Sequence, residues 1–112
     1  MPEGFANTPE PPYYAVIFTS QRTEGDNGYD AMASAMFELA LKQPGCVGAE
    51  HAREASGLGI TVAYFTNEAA IRAWKENSQH LGAQHLGKAH WYSHYEIRVA
   101  KVERSYSGPE GR

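Results

Sequence analysis

Tyr13 to Ser20 reads Tyr-Tyr-Ala-Val-Ile-Phe-Thr-Ser, an apolar stretch rich in β-branched and aromatic residues that predicts a first strand. Residues 21–28 are polar and form a loop, with Asn27 placed to cap a helix and Asp30 in its first turn. Tyr29, Met32, Ala33, Met36, Leu39 and Ala40 then recur at helical spacing. Gln43-Pro44-Gly45 stops that helix. Cys46 to Arg53 predicts a second strand, residues 54–57 a turn, and Leu58 to Thr66 a third strand. Strands this close in sequence pair as an antiparallel hairpin. Asn67 caps a second helix with Glu68 in its first turn, and Ile71 and Trp74 face inward. Ser78, Gly82 and Gly87 weaken that helix, which predicts a break near residues 77–79. Trp91 to Val102 reads as a long fourth strand.

The order is strand, helix, strand, strand, helix, strand. It predicts an α+β fold of ferredoxin-like βαββαβ type: a four-stranded antiparallel sheet with two helices on one face. A final strand of about 12 residues exceeds the usual length. Its bare sheet face carries more apolar side chains than a monomer leaves in water, so a homodimer is expected.

Composition narrows the class. The chain has 112 residues, 42% of them apolar and 12% aromatic, which fits one globular domain with a sizeable core. Residues 1–12 hold four prolines and predict a flexible arm, residues 107–112 a flexible tail, and 13–106 the domain. Mean hydropathy is −0.53, and no apolar run approaches the roughly 20 residues that cross a bilayer, so no membrane partner is expected. Residues 1–12 contain no apolar run of the kind a secretory signal carries, and the expected location is cytoplasmic. A net charge of −3 gives no footprint for nucleic acid. The single Cys46, entering a strand, reads as a small buried residue.

Several of these segments together resemble the antibiotic biosynthesis monooxygenase (ABM) superfamily of dimeric α+β barrels. They are Gln43-Pro44-Gly45-Cys46-Val47-Gly48, Gly59-Ile60-Thr61-Val62-Ala63-Tyr64-Phe65, Ala73-Trp74-Lys75 and Trp91-Tyr92. The resemblance spans about residues 13–106 and implies the dimeric barrel fold. It also implies one of several functions: oxidation of quinol-type substrates without a cofactor, haem degradation, or binding without catalysis. Haem-degrading relatives use an Asn on the first strand, a Trp on the second helix and a His ten residues beyond it. Trp74 matches, but Gln84 stands in the His position, and the first strand has Thr19 and Ser20 in place of Asn. His85, one residue on, is rotated by about 100° on a helix.

Two readings remain open. In the first, the chain is a monooxygenase that uses no cofactor and acts on a small phenol or quinol-type aromatic substrate. The deprotonated substrate itself gives an electron to oxygen. Trp74 then walls the pocket with its indole, His80 or His94 is the base, and Tyr64, Tyr92, Arg98 and Ser20 bind the substrate. Period-two counting puts Tyr92, His94, Glu96 and Arg98 on one strand face, with Glu96 and Arg98 as a charge pair. His51, Arg53 and Arg22 are secondary candidates. In the second, the chain is a dimeric binding or stress protein: Trp74 is core, His80 an exposed cap, and the polar strand face a dimer interface. His85 and His90 lie five apart and make no chelating face, so no metal is expected.

Overall fold

A computed structural model of the chain describes residues 3–25, 29–86 and 91–109, leaving aside the side chains at 29, 32 and 78–86. Its elements are β1 (Tyr13–Arg22), α1 (Tyr29–Lys42), β2 (Cys46–Arg53), β3 (Leu58–Phe65), α2 (Glu68–Leu86) and β4 (Tyr92–Val102). The strands form one antiparallel sheet in the order β2-β3-β1-β4, and the fold is the α+β, ferredoxin-like arrangement.

The register sorts the side chains onto two faces. Val16, Ala63 and Ala49 are partners across β1, β3 and β2. On that face Ala63 and Phe65 are buried against Ala70 of α2, with Val16, Cys46, Ala49, Ile71 and Trp74 packed around them. Even-numbered β1 residues therefore share the helix-bearing face with odd-numbered residues along most of the other strands. The core is built from small residues, and Phe65, fully buried, is its large member.

Tight approaches fix how the helices enter. Gly45 lies at φ +88, and a Cβ there would come within 2.6 Å of the Ala70 Cβ. Only glycine takes this backbone without strain while letting α2 sit so near the α1–β2 turn. The Thr66 amide donates to the Gly45 carbonyl at 2.8 Å, and Asn67 Oδ1 accepts from the Ala70 amide at 2.8 Å as an N-cap.

Three expectations need correction. The break predicted near residues 77–79 is absent: α2 runs 19 residues without interruption. One interior glycine costs a helix only about 1 kcal/mol, which the flanking hydrogen bonds and the packing of Ile71 and Trp74 outweigh. The face shared by Tyr92, His94 and Arg98 is also divided. A register shift between Gln21 and Arg22 lets Arg22 face Tyr92 while Gln21 faces His94. The irregularity turns Tyr92 to the helix-bearing face and leaves His94, Glu96 and Arg98 on the other. Finally, Glu96 pairs with His94 at 2.7 Å rather than with Arg98. The expected cap Asn27 lies outside the described residues.

Candidate functional site

The helices make their main contacts with β2 and β3, and among the described residues Tyr95, Ile97 and Val99 on the same face of β4 stay half exposed. An aromatic cluster lies on that face. Phe18 stands 5.4 Å from Tyr92 and 5.5 Å from Tyr95, centroid to centroid, and the two tyrosines are 6.1 Å apart. These are favourable aromatic spacings. Ile97 and Val99 extend the surface along β4, with Tyr95, Ile97 and Val99 at 54, 56 and 52% exposure. Isolated exposed apolar residues are common, and a run of three beside an aromatic cluster makes this a candidate surface for recognition.

One end of this surface is polar. Arg53 of β2 faces Gly59 of β3, and its guanidinium lies flat over the glycine. It donates to Ser20 Oγ at 2.9 Å and the Ser20 carbonyl at 3.4 Å, and also to the Gly57 carbonyl. Ser20 is 2% exposed and is the Cα partner of Tyr95. Next to it, Arg22 donates to the carbonyls of Thr23 (2.8 Å), Trp91 (3.2 Å) and Gly25 (3.1 Å). Arg22 and Arg53 both line a cleft of about 550 Å³, where the loop after β1, the β2–β3 turn and Asp30 of α1 meet.

The reverse face holds a different assembly. Tyr64 donates to Glu50 Oε1 at 2.6 Å, and the Ala6 amide of the N-terminal segment donates to Oε2 at 2.9 Å. Tyr13 packs edge-on to Tyr64 at 5.7 Å and donates to Thr8 Oγ1 at 3.0 Å. Burial, then the hydrogen bond and the charge of Glu50, push the Tyr64 phenol well above the usual tyrosine range. This tyrosine is a fixed structural donor, not a proton shuttle.

The expected site residues are thus divided. Tyr92 and Ser20 lie on the helix-bearing face, Ser20 buried under Arg53. Trp74 lies on the same side but packs half-buried against the core. Trp74 lines neither the cleft at the loop cluster nor the one beside the C-terminal segment. Tyr64, His94 and Arg98 are across the sheet, so they cannot join Tyr92 and Trp74 in one pocket. The side chain of His80, on α2, lies outside the described residues. Phe18 and Tyr95, which the cluster brings beside Tyr92, were not among the expected site residues. Their signal was present in the period-two patterns of the first and fourth strands, but pairing strand faces needs a register that one sequence does not supply. Among the described residues no three of His, Cys, Asp and Glu converge as metal ligands.

The fold has well-matched counterparts. The cofactor-independent oxygenase SnoaB from Streptomyces nogalater superposes with a TM-score of 0.68 over 85% of this chain and 97% of its own, at 11% identity. An antibiotic biosynthesis monooxygenase superposes at 0.64, covering 80 and 97% of the two chains at 12% identity. A conserved protein from Methanosarcina mazei gives 0.64 over 84 and 94%, at 10% identity. At such identities the likeness is one of fold: the chain shares the fold of SnoaB and of that antibiotic biosynthesis monooxygenase. In sequence, the chain is 48% identical over 104 residues to the uncharacterized protein YqjZ of Bacillus subtilis, covering 93% of this chain and 91% of that protein. The chain belongs to the family of YqjZ. No protein-family model matches it.

Proposed function

We propose that this protein is a monooxygenase that needs no cofactor and acts on a small phenol or quinol-type aromatic substrate. The observation that carries the reading is the open aromatic surface of Phe18, Tyr92 and Tyr95, continued by Ile97 and Val99. A flat ring stacks or packs edge-on there and leaves water behind. SnoaB, of the same fold, is described as a cofactor-independent oxygenase, which adds support.

In this chemistry a base takes the acidic proton of the substrate. The anion gives one electron to dioxygen, and the resulting radical pair joins at a ring carbon bearing hydrogen. The peroxide anion so formed takes the proton back from the base, and the resulting hydroperoxide loses water and leaves a carbonyl, so one oxygen atom enters the product and the other leaves as water. The protein contributes a dry aromatic surface, a base, and donors for the developing oxyanion. His80 is the remaining candidate base of the two expected, because His94 is across the sheet and paired with Glu96.

The packing of Trp74 against the core favours a second reading, a dimeric protein that binds an aromatic ligand without oxidising it. Oxygen uptake during incubation with reduced naphthoquinones and anthrones separates the two. The enzyme reading expects stoichiometric consumption of oxygen that depends on protein; ligand binding with no uptake favours the second.

A further inference from the structure

We infer that Thr23 and Arg22 are positioning residues for the aromatic surface: by holding the Trp91 carbonyl they fix the irregularity that turns Tyr92 toward Phe18. The inference rests on the aromatic surface proposed above and names what keeps it assembled.

Up to the pair Gln21 and His94, β1 and β4 form a regular ladder, and the next pair is Arg22 with Tyr92. β4 therefore carries one extra residue, Ser93, between two consecutive positions of β1. A regular continuation would set Arg22 against Ser93 and Thr23 against Tyr92. Side chains alternate faces along a strand, so Tyr92 would then join His94 on the reverse face. Phe18 would lose a ring neighbour that now stands 5.4 Å away. A slip of one residue is enough to empty the cluster of Tyr92.

Three donors oppose that slip. The Trp91 carbonyl accepts from the Thr23 amide at 2.9 Å, from Thr23 Oγ1 at 3.2 Å and from Arg22 Nη1 at 3.2 Å. The regular register would carry Trp91 opposite Glu24 and draw its carbonyl away from all three. Trp91 is 4% exposed, so the slip would also move a buried side chain. β1 is fixed at the same point from its other edge. The Arg22 amide donates to the Gly57 carbonyl at 3.0 Å, and Gln21 Nε2 donates to the Ser56 carbonyl at 2.8 Å. The Arg22 guanidinium also donates to the carbonyls of Thr23 and Gly25, so it joins the loop after β1 to the start of β4. The surface uses the reach and shape of this fork, not its charge. Thr23 and Arg22 each have further contacts, so the test isolates the part that acts through Tyr92.

The test is a cycle of full-length variants titrated with 2-naphthol by calorimetry. Thr23→Val removes the hydroxyl donor and keeps the branched shape, Thr23→Ser keeps the donor, and Arg22→Met keeps the stem and removes the fork. The double variant Arg22→Met/Thr23→Val should weaken 2-naphthol about tenfold, within the range of two neutral hydrogen bonds. Thr23→Ser should bind like the wild type. In a Tyr92→Leu background the same double substitution should change affinity by less than about twofold, because the ring it positions is gone. Near-ultraviolet circular dichroism reads the same coupling without ligand. The double variant should lose the signal that Tyr92→Leu removes, and adding Tyr92→Leu to it should change the spectrum little. If the double variant does not fold, as judged by its melting curve, Thr23→Val alone carries the cycle, with a loss of about threefold. Unchanged affinity and spectrum in the variants, or losses that persist in full in the Tyr92→Leu background, overturn the positioning role and leave the aromatic surface standing. Failure of 2-naphthol to bind the wild type at millimolar concentration removes the aromatic surface, and the inference with it.

Discussion

At the scale of single residues, the reverse face of the sheet makes a sharp prediction. Tyr64 donates to Glu50, and the same carboxylate receives the Ala6 amide. Tyr64→Phe removes one of these two bonds and should lower stability by about 1 kcal/mol in urea denaturation. The raised Tyr64 pKa has a definite sign. The folded state holds this proton to higher pH than the unfolded chain, whose tyrosines ionise near about 10. The stability from this group is complete below that pH and falls as pH rises above it. Glu50→Gln removes the charge that opposes ionisation, so tyrosinate absorbance should show one phenol titrating nearer its ordinary range. An unchanged titration would contradict the role given to Glu50. None of this was legible in the sequence, which offered Tyr64 as a substrate ligand. Parity alone does not say which strand face meets the helices, and that choice decides whether Tyr64 touches substrate or the arm.

At the scale of elements, local chemistry was easiest to read where one residue type has one job. Asn67 was expected as a cap and is one; Gly45 was expected as a stop and lies at φ +88. Asn67→Ala should cost about 1 kcal/mol. Gly45→Ala should cost more, roughly 1–3 kcal/mol from the backbone alone, with the clash against Ala70 added. Thermal melts of both variants check the order, and a smaller loss at Gly45 would show that the turn is not the strained point assigned here. The helix break was misread because Ser and Gly were counted as local penalties while the tertiary packing of Ile71 and Trp74 was not. The end of β4 was misread for another reason. One irregular residue between Tyr92 and His94 reverses the parity of every position before it, and the sequence carries no turn or glycine to announce it. That reversal separates Tyr92 from His94 and creates the cluster with Phe18.

At the scale of the whole molecule, the two faces of the sheet are assigned different tasks. The reverse face exposes Leu58 and Ile60 on β3, and a second copy of the chain is the proposed cover for them. Ile60→Lys should shift the protein to a monomer in sedimentation at micromolar concentration, with its fold intact by circular dichroism. A wild type already monomeric there would remove the homodimer. Element order and the ABM-type architecture were legible because hydrophobic period and turn residues are local properties. The site was less so, because it depends on register across four strands. The helix-bearing face carries the central claim that an aromatic substrate is oxidised there. Its most direct measurement is oxygen consumption with quinol and anthrone substrates by the wild type, His80→Ala and Phe18→Ala. Uptake by the wild type is expected, with a rate lower by about 10²–10⁴-fold in His80→Ala and a raised KM in Phe18→Ala. Uptake equal in all three, or no uptake above buffer with any substrate, would contradict it.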